Sequence, residues 1–328
     1  MNRPAAAPPS RSYTSGAGAA GLLRDGLELL RGHYAGGVER QVDDIVVQLE
    51  QLERLLADTY RVGLAGARVL DLGAGQRLNQ LSYFSLRSDA VGIDSDVIVQ
   101  GFDPLGLLRM LRLNGWQRTL KTVARKTLLV DRRYRRELAR RLGVRRIPRL
   151  RVLRMDAGRL EFPDASFDLV YSQSVFSHLR EPERVLREIV RVLAPGGVAY
   201  VDFLLYTSLT GCMDVRALGG GRAAGLAAWA HLREGFRDDV RESAYLNRIR
   251  LPRWRDLVEH AMPGARIVLH QPERQRLEPE VRRLRAAGEL LEYDLDELTT
   301  SHLSLHWQKP ASRQPAAEAS SSEIVTNS

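Results

Sequence analysis

The apolar positions of the chain fall into short runs separated by stretches with helical spacing. RQVDDIVVQLEQLERLLA, residues 40–57, sets Val46, Leu49, Leu52 and Leu56 on one helical face, which predicts a helix packed outside a core sheet. Arg68–Leu72 reads as a buried strand, and RVLDLGAGQRLNQ (68–80) carries it into a glycine turn and a polar segment able to start a helix. AVGID (90–94), RLRVLRMDA (149–157) and SFDLVYSQS (166–174) predict three further strands. Glu181–Leu193 is amphipathic, with Val185, Leu186, Ile189, Val190 and Leu193 on one face. Pro182 sits near its start and Pro195-Gly196-Gly197 follows its end, as helix punctuation requires. GGVAYVDFLLY (196–206) is apolar enough for a central strand, and ARIVLHQ (265–271) and SHLSLHWQK (301–309) predict two late strands. Alternating strands and helices predict a parallel sheet covered on both faces. Ligands of such sheets bind beyond the carboxyl ends of the strands, where the glycine turn, Asp94, Asp156 and the segment after Val170 all fall.

The turn itself narrows the ligand. Gly73-Ala74-Gly75-Gln76-Arg77-Leu78 lacks the third glycine of a dinucleotide fingerprint, and no Gly-Lys-Ser/Thr follows as in a phosphate-binding loop. Asp71 precedes the glycines. A carboxylate there repels a pyrophosphate and suits a cationic ligand.

With these residues in order, the chain resembles the class I S-adenosylmethionine-dependent methyltransferases, especially the broad small-molecule group. VLDLGAG is similar to that family's first motif and VGIDSD to its second. MDAGRLEFPDASFDLVYSQSVFSHL is similar to its adenine and active-site stretch, and LREIVRVLAPGGVAYV to its helix, turn and fifth strand. The resemblance covers about residues 65–205 and implies an α/β fold. That fold is a Rossmann-like, mostly parallel seven-stranded sheet with helices on both faces. It also implies S-adenosyl-L-methionine as cofactor. Gly73, Ala74 and Gly75 would let the backbone approach the methionine part, with Asp71 orienting its ammonium. Asp94, with Ser95 beside it, would take the ribose hydroxyls. Asp156 and the Ala157 N–H would face the adenine, and the backbone at Ser172 would face the reactive end. Arg77 stands where the family often has a third glycine.

His178, just past the fourth strand, is the candidate base, since its pKa class suits proton transfer near neutrality; packing on the following helix is the alternative role. Tyr206 follows the fifth strand and, with Trp229 and His231, is assigned to the substrate pocket, although ordinary packing competes for Trp229. No His/carboxylate cluster has metal spacing, so no metal is expected.

Composition refines this picture. The chain has 328 residues, 44% hydrophobic and 27% charged, an ordinary globular balance, and no apolar run approaches the ~18 residues of a membrane span. Residues 1–20 and 311–328 read as disordered tails around a domain at 21–310, in which 207–262 is expected to be a helical substrate-side region. The amino terminus lacks the apolar core of a secretory signal, and Cys212 stands alone, which excludes an intrachain disulfide and fits a cytoplasmic location. The net charge of +9 is regional. Between Leu105 and Arg154 there are 17 Lys/Arg against Asp131 and Glu137, a balance of +15, which leaves −6 elsewhere.

That region lies in an insert, residues 97–148, longer than the resembling family commonly carries between Asp94 and Asp156. Its first part mixes Leu105, Leu108, Leu111, Trp116 and Leu120 with arginines, which predicts an amphipathic helix in a basic helical cap. Recruitment of an acidic substrate, and contact with nucleic acid or an anionic membrane surface, are the other readings. The expected activity is O-methylation of a small-molecule or sugar-like metabolite. The alternatives are an RNA methyltransferase and a non-catalytic cofactor-binding or scaffold protein. The sequence gives no oligomeric state.

Overall fold

A computed structural model describes residues 37–311 apart from 102, 117–118, 121, 124–129, 219–225 and 243; the two expected tails lie outside these residues, except Ala311. Seven strands form one sheet in the order β3-β2-β1-β4-β5-β7-β6. They are β1 (Arg68–Leu72), β2 (Asp89–Asp94), β3 (Arg151–Arg154), β4 (Phe167–Gln173), β5 (Leu193–Leu204), β6 (Arg266–His270) and β7 (His302–Gln308). β1 to β5 pair in parallel, while β7 runs antiparallel to both β5 and β6. The chain starts at the centre, winds outward through β2 and β3, and returns to β4. The switch point therefore lies between β1 and β4, and there the carboxyl ends open a crevice.

Alternation along each strand divides the core in two. Leu70 and Leu72 of β1 face one side, with Val170 of β4 and Val201 of β5; Val69, Leu169 and Val198 face the other. The first side is covered by α5 (Pro182–Val192), whose buried residues include Val185, Leu186, Ile189 and Val192, and by α7 (Leu251–Ala261). The second is covered by α1 (Val38–Tyr60), which buries Val38, Val42, Val46, Leu49, Leu52 and Leu56 at helical spacing, and by α2 (Asn79–Phe84).

Several boundaries differ from the sequence reading. β5 starts at Leu193, directly at the end of α5, and Leu193 already pairs with Phe167. The register then slips between Phe167 and Leu169, and Gly196 takes φ +81°, so Pro195-Gly196-Gly197 forms an irregularity within the strand rather than a turn before it. Between β2 and β3 stand α3 (Pro104–Asn114) and α4 (Val130–Arg141). α4 lies against α1: Tyr134 and Leu138 enter the α1 core, and Arg141 pairs with Asp43 at 2.9 Å. This helix therefore packs against α1 on one face of the sheet. Residues 207–262 are less helical than expected. They hold the one-turn α6 (Val215–Leu218), 3-10 turns at Ala230–Leu232 and Glu234–Asp239, and then α7.

After β6 come α8 (Arg274–Ala286) and the short α9 (Leu295–Thr299). Glu297 of α9 is fully buried, and its carboxylate accepts from Arg250 Nε at 3.1 Å, Arg250 Nη2 at 2.6 Å and Leu251 N at 3.1 Å. It joins α9 to the start of α7 and fixes the loop before it, which borders the crevice. Glu297→Ala removes the partner of a half-buried arginine and of a buried N–H. It is expected to lower unfolding free energy by roughly 3 kcal/mol in urea titration, with Glu297→Gln losing less.

Candidate functional site

The crevice is built on the ends of four adjacent parallel strands. The ladder pairs Asp71 with Gly92 and Leu72 with Ile93, so the carboxyl ends of β1 and β2 stand side by side. The turn after β1 folds over the end of β2. The N–H groups of Gly73 and Ala74 both donate to Ile93 O at 2.9 Å, and Gly75 N–H donates to Asp94 Oδ2 at 3.0 Å. All three amides are thus bonded to β2. What the glycines supply is clearance. Gly73 and Gly75 have φ +81° and +65°, and a Cβ on Gly73 would meet Val175 Cγ2 at 2.2 Å.

Arg77 leaves the turn undistorted. It is absent from the positive-φ residues, its side chain is exposed, and its guanidinium donates to Gln41 of α1 at 3.2 Å. The left-handed residue is Leu78, at φ +56°.

Asp71 is buried. Its carboxylate accepts from Leu81 N–H, and its Oδ2 has no partner among the described residues. Burial, and then the neighbouring Asp94 charge, push its pKa up to about 7. A buried carboxylate with an unpartnered oxygen beside a second carboxylate is chemically suited to a cation. Asp94 also accepts from Asp96 N at 2.9 Å through Oδ1, which aims the group along the crevice. Ser95 is exposed, and its carbonyl accepts from Arg154 Nε at 3.0 Å. Asp156 follows β3, and its Oδ1 accepts from Gly158 N at 2.9 Å, while Ala157 is half-buried between them. Ser172 is fully buried and its hydroxyl donates to Leu72 O at 3.0 Å, tying β4 to β1. Its side chain is structural, and only its backbone faces the crevice region.

His178 ends a 3-10 turn, Phe176–His178, just beyond β4. Its Nδ1 lies 2.8 Å from Tyr245 O; a carbonyl only accepts, so Nδ1 carries the proton and Nε2 is the basic nitrogen. Asn247 holds the same turn. Its side-chain amide donates to Phe176 O at 2.7 Å and to Leu179 O at 3.1 Å, and its backbone N–H to Ser177 O at 2.9 Å.

Tyr206 and His231 share a cavity of about 380 Å³ with Arg237, Arg241, Glu242 and Arg248. His231 Nε2 lies 2.9 Å from Tyr206 O, and burial pushes its pKa down to about 4, so the ring is neutral near pH 7. Trp229 is set apart. It is buried in an apolar cluster with Leu277, Val281 and Leu298 and lines a neighbouring cavity that His231 also borders. The three cavity arginines, Asn247 and Gln76 were missed by sequence reasoning. They lie in segments without strand or α-helical periodicity, and Asn247 bonds to residues about 70 positions away. Among the described residues, no group of three or more His, Cys, Asp or Glu side chains is gathered for a metal, and no helix is long and apolar enough to cross a membrane.

A family model described as a methyltransferase domain matches residues 115–201, a stretch that holds Asp156, Ser172 and His178 but not Asp71 or Asp94. A 27-O-demethylrifamycin SV methyltransferase of Amycolatopsis mediterranei is 41% identical over 87 residues, 24% of this chain and 32% of that protein. A phosphatidylethanolamine N-methyltransferase of Cereibacter sphaeroides is 42% identical over 62 residues, 19% of this chain and 30% of that protein. The matched stretch thus spans about a third of the length of these curated relatives. A solved phosphoethanolamine N-methyltransferase 2 of Haemonchus contortus, in complex with phosphomonomethylethanolamine and S-adenosylhomocysteine, aligns at TM-score 0.42 and 17% identity. That alignment covers 79% of this chain and 52% of that one, a loose likeness that assigns nothing. The seven-stranded, mostly parallel sheet is Rossmann-like, and residues 115–201 are similar to a methyltransferase domain.

The raised pKa of Asp71 sets a pH dependence. The folded protein holds this proton more tightly than the unfolded chain, whose value is 3.8, so the contribution to stability is complete below 3.8 and is lost as the pH rises through about 7. Asp71→Asn, which has no charge to bury, is expected to melt about 2–6 °C above wild type at pH 8, with the difference vanishing toward acid pH in thermal scans.

Proposed function

We propose that the protein is an S-adenosylmethionine-dependent methyltransferase acting on a hydroxyl of a small, negatively charged molecule. The observation that carries the cofactor assignment is the open, buried Asp71 Oδ2 beside the glycine turn and Asp94. That donor set fits a ligand with an ammonium group at one end and a ribose diol next to it. Bound there, the cofactor supplies an electrophilic methyl group, so the protein's own work is positioning and proton management.

The residues divide that work. Asp71 faces the ammonium, and the missing Cβ of Gly73 lets Val175 pack against the turn that borders it. Asp94, whose two oxygens accept from Gly75 N and Asp96 N, suits the hydroxyls of a ribose diol. Asp156 and Ala157, at the end of the neighbouring strand, suit the adenine edge. His178 takes the acceptor's proton at Nε2, with Tyr245 O holding the tautomer. Arg237, Arg241 and Arg248 favour an anionic acceptor. Arg248 is paired with Glu242 at 2.9 Å, so the cavity keeps a net positive charge.

Calorimetric titration is expected to show S-adenosylmethionine and S-adenosylhomocysteine binding, weakened about 100-fold in Asp94→Ala, the loss of hydrogen bonds to a charged group. Absence of binding by folded wild type would overturn the reading. His178→Asn is expected to keep cofactor affinity and to lower turnover by ~10²–10⁴, read as S-adenosylhomocysteine formed with a panel of hydroxylated carboxylates and phosphates.

A further inference from the structure

Among the described residues, eight large hydrophobic side chains are exposed, and six of them stand between Leu105 and Leu120. Leu105 is 79% exposed, Trp116 60% and Leu120 59%, with Leu108, Leu111 and Leu113 also in solvent. Scattered exposed apolar residues are ordinary on a soluble protein, but a contiguous set is not.

The cause is the way α3 is mounted. Asp103 caps its start by accepting from Gly106 N at 3.0 Å, and Pro104 occupies the first turn. Only a narrow stripe faces the body. Met110 is fully buried against Val97 and Val99 with Leu107 beside it, and Asn114 clamps Val97 through its N–H at 3.0 Å and its carbonyl at 2.9 Å. At 100° per residue, Leu107, Met110 and Asn114 occupy a narrow arc. Leu105 and Leu108 lie on the far side with the exposed Arg109 and Arg112, and Leu111 and Leu113 stand exposed on either flank of the buried stripe. A helix ordinarily turns its apolar face to the core, and α3 turns it outward.

We propose that this face docks on an anionic phospholipid surface. Charge selects the occupant. The segment from Leu105 to Arg154 carries a net +15, and arginines stand among the leucines themselves. In a bilayer interface the leucines enter the acyl boundary while the arginine stems extend to lipid phosphates. Nucleic acid would use the arginines and leave the leucines unanswered, and Trp116 is the one exposed large aromatic among the described residues. The mount lies beside the crevice: Val97 O also accepts from Gln76 Nε2 of the glycine turn at 3.1 Å. The proposal does not rest on the methyltransferase reading.

The test is sedimentation of the full chain with vesicles of phosphatidylcholine and phosphatidylglycerol in equal parts, with pure phosphatidylcholine vesicles as control. Wild type is expected to pellet with the anionic vesicles, to release in high salt, and to stay in solution with the neutral ones. The Leu105→Asp/Leu108→Asp/Leu111→Asp variant alters solvent-exposed positions only, so its melting temperature should match wild type. Its vesicle affinity is expected to fall roughly tenfold or more. Wild type remaining in solution with anionic vesicles overturns the proposal. So does undiminished binding by the variant, which would mean charge attraction alone. A concentration-dependent dimer without vesicles that the variant abolishes would assign the face to a second copy of the chain and overturn it as well.

Discussion

Two backbone amides, those of Gly73 and Ala74, converge on Ile93 O, and the next amide, that of Gly75, holds the carboxylate of Asp94. This pinning of one strand's exit to its neighbour's end is the constraint on which the crevice depends. It requires a turn with two left-handed residues, which glycine supplies. It also requires close approach: a Cβ on Gly92 would meet Ala74 Cβ at 2.9 Å and Leu81 Cδ2 at 2.8 Å. Once the turn is fixed, Asp71 and Asp94 stand close enough for the charge of one to raise the pKa of the other. Two neighbouring carboxylates, one buried, destabilise the apo protein, and a cation relieves that cost. Binding energy and local strain thus share one geometry.

The two sides of the crevice are held by different physics. The strand-end side is set by the parallel ladder, whose register leaves the strand ends little freedom. The side toward Tyr206 and His231 is irregular backbone tied by side chains. Asn247 holds the turn before His178, Glu297 holds the start of α7, and buried Asp214 accepts from Arg216 and Arg241 N. The Asn247 and Glu297 ties are long-range, while Asp214 bonds both Arg216, two residues on, and the distant Arg241 N.

The same division explains what the sequence reveals. Periodicity located all seven strands and the buried face of α5, because alternation and 3.6-residue spacing are set by the core itself. Asp71 and Asp94 were legible as acids at strand ends. That the amides of the glycine turn bond to β2 was not legible, since composition shows that a backbone can make a close approach but not which acceptor claims its donors. Arg77 looked like a departure at a glycine position, yet the left-handed conformation falls one residue later, at Leu78. The arginine cavity was invisible, because Arg237, Arg241 and Arg248 meet Tyr206 and His231 only through tertiary folding.

α3 shows the limit of periodicity most sharply. Its leucine spacing announces an amphipathic helix, but a hydrophobic pattern states that a face seeks cover, not where the cover lies. The narrow inner stripe of Leu107, Met110 and Asn114 satisfies the body, leaving the broader apolar arc outward. Positive charge cannot account for this arc, since α4 carries arginine too and answers part of it with Asp43 and Glu50 of α1. Nor is α3 mechanically isolated. Val97 O accepts from Asn114 on the helix and from Gln76 in the glycine turn, at 2.9 and 3.1 Å. A tilt of α3 beyond hydrogen-bond tolerance must break one of the two or carry the turn along with it. Whatever covers the outer face of α3 therefore acts on a helix one shared carbonyl away from the turn that shapes the crevice.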